Sequence, residues 1–282
     1  MPTKGTLDAQ DALAGLRKWK LERDDSGPFR VYKNEKGHVF HSVTHILKET
    51  SEGWQKDALE RWLERPNSIL ERDIACQRGN LTHSHAEYLL KTGAKLARQS
   101  ANRKGCYRVG NDGLVRAPSK ITAWALEKAA KNAPRVPWSA AGYARGLRSW
   151  ILERVTAVHA VEFSIHVTPS RTIPTKGVHG FAGTCDALVD IDGVLTICDW
   201  KTSATKRSEE LLRNYIHQLG AYSLGVKRNA QGLSPQAGAV IVARRSGPPQ
   251  IRMLSNVELL QAEELFLERF HNYLQLNDAE QH

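Results

Sequence analysis

The sequence of 282 residues contains no apolar run of about 18 residues, the length that a membrane-spanning helix requires. We therefore expect no transmembrane segment and no membrane partner. The first ten residues, MPTKGTLDAQ, also lack the apolar core of a secretory signal. The resulting expectation is a soluble cytoplasmic protein, and a hydrophobic content of 41% is enough for a buried core.

Cysteine is scarce as well. The chain has four cysteines, and no two of them form the C-x-x-C pair that is typical of a zinc ribbon. Cys185 and Cys198 each precede an aspartate in a predicted strand. We expect both to be buried and to point to the face opposite those aspartates, because successive strand side chains alternate. An intracellular setting argues against a disulfide between them.

Acidic residues are scarce in one segment of the chain. The whole chain carries 40 Lys and Arg against 30 Asp and Glu, a net charge of +10. Residues 91–154 hold 14 of the basic residues and only three acids, which accounts for the whole excess. This localisation predicts a surface for a polyanion, although runs of charge often only face water. The candidate contact residues are Arg98, Arg103, Lys104, Lys120, Arg145 and Arg148.

Apolar periodicity predicts an α/β fold, a mixed β-sheet flanked by helices. We divide the chain into an N-terminal hairpin and helical region, residues 1–66, and a core, residues 67–282. The core contains a basic helical insertion at about 91–154, with a loop over 105–118. The predicted helices cover residues 8–22, 42–47, 54–63, 121–131, 140–155, 208–226 and 255–276, with a further helix starting at 67 or 68. The predicted strands and hairpins cover residues 29–40, 157–167, 180–201, 237–243 and 250–254.

The segment 180–201, GFAGTCDALVDIDGVLTICDWK, places Asp-Gly between two apolar runs, the strongest short-range signal for a β-hairpin. If Asp192 and Gly193 form the loop, Asp186 falls opposite Asp199, and Lys201 shares the face of Asp199. Opposed carboxylates repel each other unless a cation lies between them, and hard cations such as Mg²⁺ prefer carboxylate oxygens. Metal, paired carboxylates and a lysine suit attack on a phosphodiester.

Further motifs accompany the Asp-x-Lys pair, and the two helical ones have the i, i+4 spacing that places both residues on one helix face. They are Gly183-x-x-Asp186, Gln218-x-x-x-Tyr222, His83-x-x-x-Glu87 and the strand residue Glu162. Together they resemble the PD-(D/E)xK nuclease superfamily. Within it they are similar to the RecB-like exonucleases, which include the mitochondrial genome maintenance exonuclease and phage nucleases. The Arg78-Gly79 pair ahead of His83 is similar to that branch in particular.

The resemblance implies a restriction-endonuclease-like core with Mg²⁺ as the cofactor, for which Mn²⁺ would substitute. Asp186, Asp199 and the backbone carbonyl of Trp200 would bind the metal. His83 would add a nitrogen ligand. The alternatives are that His83 is a buried histidine without a ligand role, or that His85 takes the ligand position instead. Relatives with an iron–sulfur cluster carry cysteines near the C-terminus, and none follows Cys198, so we expect no cluster.

The resemblance also implies roles for the residues around the metal. Lys201 would orient or deprotonate the attacking water and offset charge on the transition state. Gln218 and Tyr222 would position Lys201 or a substrate phosphate, unless they serve only in helix packing. Glu87 and Glu162 would lie around the metal site in a role that the sequence leaves open.

The implied function is a Mg²⁺-dependent DNA exonuclease that acts on single-stranded or frayed ends, in recombination or repair of phage type. We expect the basic insertion to arch over the cleft and thread a strand from its end, with Trp124, Trp138 and Tyr143 stacked on bases. An insertion packed to one side would leave an open cleft and favour an endonuclease, internal-cutting or structure-specific. A non-catalytic nucleic-acid-binding protein is the third hypothesis, against which the intact Asp186, Asp199 and Lys201 argue.

Overall fold

The structure is a computed structural model that describes Leu13, Leu16 and residues 21–168, 178–230 and 232–279. Most of the helix predicted over residues 8–22 lies outside these residues. The strands are β1 Glu22–Asp24, β2 Val31–Lys33, β3 Val39–Ser42, β4 Arg108–Val109, β5 Val115–Arg116, β6 Val155–Val167, β7 Phe181–Ile191, β8 Val194–Ser203, β9 Ala237–Arg244 and β10 Gln250–Leu254. The helices are α1 Val43–Glu49, α2 Gly53–Leu63, α3 Ser68–Lys104, α4 Ser119–Lys131, α5 Trp138–Arg154, α6 Glu209–Asn229 and α7 Asn256–Ala279.

Eight strands form one mixed sheet in the order β1-β2-β3-β7-β8-β9-β10, and β6 pairs with β7 beside this path. The β3–β7 and β8–β9 pairs are parallel, and the other pairs are antiparallel. The parallel β3–β7 pair joins the N-terminal hairpin to the core sheet. This mixed sheet with flanking helices confirms the predicted fold class.

The central hairpin has the predicted loop and register. Asp192 and Gly193 have φ angles of 50° and 88°, the positive values that a tight two-residue hairpin turn of type I′ requires. The ladder runs from the Ile191–Val194 pair to the Ala187–Cys198 pair. Counting one position further places Asp186 level with Asp199, as the sequence predicts.

Buried side chains form two main clusters, one on each face of the sheet. The first cluster packs the strands against α1, α6 and α7 and includes Ile197, Leu219 and Phe266. The second cluster packs them against α3, α4 and α5 and includes Cys198 and Leu147. Ile197 and its neighbour Cys198 belong to different clusters because successive residues of a strand point to opposite faces.

Cys185 and Cys198 are both buried, as expected, but they point to different faces. The expectation that both point away from the aspartates is therefore wrong for Cys185. Its cluster is the one on the α6 side, whereas Ala187, two residues later, belongs to the α3 side. Residues two apart normally share a face, so β7 reverses its faces at Asp186.

The basic insertion packs against one face of the sheet, and the predicted arch over the cleft is wrong. Helices α4 and α5 bury Leu126, Tyr143 and Trp150 in the second cluster. A Cβ at Gly93 of α3 would lie 2.5 Å from Leu126, which shows how closely α4 approaches α3. The physical reason is that the helices of the insertion have apolar faces, and the sheet is the surface that buries them. The expected loop over 105–118 contains the short hairpin β4–β5.

Two of the three aromatic residues that were expected to stack on bases remain exposed. Trp124 is 44% exposed and Trp138 is 82% exposed. Tyr143 is only 2% exposed and lies under the guanidinium of Arg78, with 4.7 Å between Cζ and the ring centroid. Tyr143 is therefore a core residue, which excludes it from base stacking.

A network of hydrogen-bonded charged side chains connects the insertion to the sheet. The guanidinium Nη2 of Arg116, on β5, donates to Asp190 Oδ1 of β7 at 3.2 Å and to Asp112 Oδ2 at 2.7 Å. His159 Nε2 lies 2.8 Å from the same Asp190 oxygen. Burial alone would raise the pKa of Asp190, but hydrogen bonds from His159 and Arg116 lower it below its usual value. The carboxylate thus anchors β4–β5 in its ionised form.

Candidate active site

The candidate site lies where β7 and β8 separate. Their ladder ends at the Ala187–Cys198 pair, after which β7 continues beside β6 and β3 while β8 continues beside β9. Asp186 and Asp199 are the first residues beyond this fork. The fork therefore positions the two aspartates on separate strands, next to each other and without a main-chain ladder between them.

Asp186 is 7% exposed, and both of its carboxylate oxygens have partners. Oδ1 lies 3.1 Å from His83 Nδ1, and Oδ2 accepts a hydrogen bond of 2.6 Å from the backbone N–H of Trp200. Burial alone would raise the pKa of Asp186, but the charge and hydrogen bond of His83 lower it overall. For His83, burial would lower the pKa, but Asp186 raises it. Each partner thus favours the charged form of the other.

Asp199 is 2% exposed and faces α6. Its Oδ1 accepts a hydrogen bond of 3.0 Å from Gln218 Nε2, and its Oδ2 lies 2.5 Å from Lys201 Nζ. Among the residues that the structure describes, Oδ2 has no partner with hydrogen-bond geometry. Burial raises the pKa of Asp199 to about 6, although Lys201 acts in the opposite direction. The neighbour of this buried oxygen is therefore the Lys201 ammonium group.

Lys201 extends from β8 into the same space as Asp199. Burial would lower the pKa of Lys201, but the charges of Asp199 and Asp186 raise it above the usual value. Its Nζ also lies 5.0 Å from the ring centroid of Tyr215 on α6, a cation–π contact. The side chain is 21% exposed, so the site encloses most of it.

Gln218 and Tyr222 support Asp199 from the helix side. The Gln218 amide that donates to Asp199 also lies 2.7 Å from the Tyr222 hydroxyl. Tyr222 in turn packs on Gly183, where a Cβ would lie 2.7 Å from Tyr222 Cε1. The glycine of the Gly183-x-x-Asp186 motif therefore leaves the space that the tyrosine ring occupies.

Glu162, on β6, joins His83 and Asp186 in a cluster whose ligand atoms all lie within 4.8 Å of one another. Asp199 lies outside this cluster. Glu162 has a φ of 48°, a left-handed value that is uncommon for a residue other than glycine. Burial, and next the charge of Asp186, raise the pKa of Glu162 to about 7. The cluster offers one nitrogen and two carboxylates, a donor set that divalent metals accept.

Two of the expected residues have other partners. Glu87 binds Lys91 at 2.6 Å, one helical turn further along α3, rather than the cluster. His85, the rival to His83, has its pKa lowered by burial and by the charge of Arg148. The structure therefore brings His83 to the aspartates and places His85 near the basic insertion.

The sequence matches the model of a protein family over most of its length. Residues 10–279 match the sequence model of the PD-(D/E)XK nuclease superfamily. The chain belongs to this superfamily. The matched range includes the fork, the long helix α3 and the basic insertion. Membership makes a nucleic acid the substrate class, and nucleases of this superfamily usually use a divalent metal.

Other comparisons add little to the superfamily assignment. None of the curated proteins matches the sequence. A candidate exonuclease from Eubacterium rectale, solved by crystallography, is 15% identical, with 72% of this chain and 68% of that chain covered and a TM-score of 0.38. A similarity this low carries no argument about activity. Within the described residues, every helix of this nuclease is too short or too polar to cross a membrane.

The six basic residues that were expected to bind DNA do not share one surface of the nuclease. Arg98 lines a groove beside β6, whereas Arg145 lines a separate cavity at the β9–β10 turn. Arg103 and Lys104 lie in the last turn of α3 and are exposed, and Lys120 lies in the first turn of α4. Arg148 lies close enough to His85 to lower its pKa. Their role in DNA binding stays a prediction.

Sequence reasoning missed two contributors to the site. The first is Tyr215, which contacts Lys201 and lies three residues before Gln218 on the same helix face, a spacing that could have indicated it. The second is the backbone N–H of Trp200, which donates a hydrogen bond to Asp186 at the point where β7 and β8 separate. No sequence signal could have revealed that hydrogen bond, because it depends on where β7 and β8 separate.

Proposed function

We propose that the chain is a metal-dependent deoxyribonuclease that hydrolyses phosphodiester bonds and acts as an exonuclease on single-stranded or frayed DNA ends. The observation that carries this proposal is the pair Asp186 and Asp199 at the fork, with Lys201 beside Asp199. Superfamily membership supports nuclease chemistry. The exonuclease mode rests on the similarity of the motif set to the RecB-like branch.

The donor atoms at the fork fit a divalent metal such as Mg²⁺ or Mn²⁺. The donor set of His83, Glu162 and Asp186, whose ligand atoms lie within 4.8 Å of one another, is the observation that tests the fit. Asp186, Asp199, His83 and the Trp200 carbonyl would hold the ion, and the position of Glu162 in the cluster adds it to this set. When bound, the metal would stabilise charge on the phosphate and lower the pKa of a coordinated water.

Lys201 acts in this proposal as a positively charged donor to the phosphate. The raised pKa keeps its side chain as an ammonium group, which favours charge stabilisation over removal of a proton from water. Gln218 holds Asp199 in place through its amide and leaves Oδ2 for the metal and Lys201. Tyr222 fixes the Gln218 amide in turn.

One observation favours the endonuclease alternative. The insertion packs on the sheet through α4 and α5, so no helical arch encloses the fork within the described residues. An open cleft admits the interior of a strand as readily as its end. The same core would then cut internally.

The test uses matched linear and covalently closed single-stranded DNA of one sequence, incubated with Mg²⁺ or Mn²⁺. An exonuclease degrades the linear strand to short products and leaves the circle intact. Cleavage of the circle at a comparable rate would replace the exonuclease with the endonuclease. Absence of cleavage of both substrates would refute the nuclease proposal itself.

A further inference from the structure

A groove of about 1090 Å³ lies between residues 158–164 of β6, helix α3 and the β1–β2 hairpin, and Leu13 and Leu16 also line it. Within the described strands β6 pairs with β7 alone. Glu162, which belongs to the cluster with His83 and Asp186, is one of the β6 residues that line the groove. The groove is therefore continuous with the candidate active site.

One wall of the groove is a basic face of α3. Lys91, Lys95 and Arg98 line this wall at spacings of four and three residues, so these three side chains share one face of α3. Lys91 forms an ion pair with Glu87. Lys95 and Arg98 are exposed. Across the part of the chain that the structure describes, neither side chain makes an ion pair or hydrogen bond. The rise of an α-helix places Lys95 about 18 Å along α3 from His83.

The opposite wall is acidic and the floor is apolar. Glu22 and Glu35, on the β1–β2 side, line this wall and are exposed, and Lys33, which also lines it, is paired with Asp24 at 2.8 Å. Val161 and Phe163 of β6 contribute to the floor. This asymmetry suits a single strand, which carries phosphates on one side and bases on the other. A duplex carries phosphates on both strands, and its second strand would meet the carboxylates.

We propose that this groove binds one strand of DNA beside the phosphate to be cleaved, with phosphates along Lys95 and Arg98 and bases toward Glu22 and Glu35. Carboxylates on that side accept hydrogen bonds from the amino groups of bases. The proposal rests on the proposed nuclease function and specifies how the same site would select single strands over duplexes. Rigid placement of the basic residues on the helix that carries His83 would align the strand with the metal site.

The main test reverses the charge of the basic wall with Lys95→Glu and Arg98→Glu in one variant. The matched control carries Lys128→Glu and Lys131→Glu, two exposed positions on α4 away from the groove. Binding of labelled single-stranded and blunt duplex DNA of about 16 nucleotides is measured by fluorescence anisotropy in chelator over a range of salt. A second variant, Lys95→Gln with Arg98→Gln, removes the charges without adding acids and guards against a folding defect.

We expect the charge-reversal variant to bind single strands at least about tenfold more weakly than the control variant at low salt. The Gln variant should lose about 1.4 from the slope of log affinity against log salt, because each phosphate contact on a single strand contributes about 0.7. Duplex binding should change less. Unchanged single-strand binding in both variants, or an equal loss for single strands and duplexes, would overturn the groove proposal.

The acidic wall supplies an independent measurement. Replacing Glu22→Gln and Glu35→Gln removes the charges that oppose a second strand, so duplex affinity should rise relative to single-strand affinity. No change in that ratio would contradict the assignment of the two walls. Failure of the groove and failure of the nuclease function remain distinct, since wild-type cleavage of linear DNA with Mg²⁺ tests the function without any groove variant.

Discussion

Glu162 and Asp186 lie opposite each other on β6 and β7, because the ladder pairs on either side of them are Val161 with Ala187 and Phe163 with Cys185. Both strands reverse their faces at this position. Val161 packs against the α3 side of the sheet, whereas Phe163 belongs to the α6 side. Two carboxyl groups thus meet where the sheet is distorted, beside a histidine of α3. A bound cation would remove their repulsion.

We expect Glu162→Gln to stabilise the metal-free protein and to reduce the rise in melting temperature on addition of Mn²⁺. The metal-free protein should become more stable because the repulsion between Glu162 and Asp186 is lost. The response to Mn²⁺ should shrink because a ligand is lost, and an ion that binds only the native state stabilises that state. Thermal unfolding in chelator and in Mn²⁺ measures both. Glu87→Gln serves as the control, since Glu87 pairs with Lys91 instead. A response to Mn²⁺ equal to that of the wild type would remove Glu162 from the metal site.

We expect Lys201→Ala to lower single-turnover cleavage by roughly 10²–10⁴-fold, the range for loss of a charge-stabilising or proton-transferring group. DNA affinity should change little, because the proposed contact strengthens in the transition state. Lys201→Arg keeps the charge and should retain part of the rate. A Lys201→Ala protein that cleaves at the wild-type rate would exclude this role.

Gly183→Ala should destabilise the protein by about 1–3 kcal/mol, the usual result of overpacking a core. The added Cβ would lie 2.7 Å from Tyr222, so the ring must move and release the Gln218 amide. Urea unfolding measures the loss, and cleavage rates report the displaced support of Asp199. Gly79→Ala is the matched control: its Cβ would lie 3.6 Å from Thr202, an ordinary contact, and alanine favours a helix. Equal stability of the two variants would contradict this account.

Stability should fall on mild acidification because of His217. Burial, and next the charge of Arg269, lower its pKa from 6.5 to about 4. The unfolded chain binds a proton near pH 6.5 and the native state does so only near pH 4. The stability that this histidine contributes is therefore complete above pH 6.5 and is lost as pH falls toward 4. Urea unfolding at about pH 7 and pH 5 should show a smaller loss for His217→Gln than for the wild type; an identical loss would assign the effect to other groups.

The parts of the fold that depend on local signals could be predicted from the sequence. The Asp192-Gly193 turn determines the register of the hairpin, because both residues adopt the positive φ of that turn. Ser42 caps α1 by accepting a hydrogen bond from the N–H of His45, as its residue type suggests. The pairing of His83 with Asp186 also agrees with the motif spacing.

Features that depend on packing between distant elements could not be predicted. The reversal of faces at Asp186 arises only when β6 and β7 pair, so alternation within β7 gave the wrong face for Cys185. The position of the insertion between His83 and Glu162 suggested an arch, yet burial of Leu126 and Trp150 places it on the sheet. The apolar residues of α2 have helical spacing, but Trp54 and Leu59 remain 41% and 44% exposed. Periodicity alone does not show which surface, if any, covers a helix.

Helix α3 is continuous from Ser68 to Lys104, so it determines the distance and the direction from His83 to Lys95 and Arg98. Each residue of an α-helix adds about 1.5 Å and about 100° of rotation. One residue inserted between His83 and Lys95 would swing the cations out of the groove while hardly changing their distance. Seven inserted residues, close to two full turns, would restore the direction and move the cations about 10 Å further away. The angular phase of this helix, more than the number of its charges, therefore determines whether a strand held by the cations reaches the metal ligands.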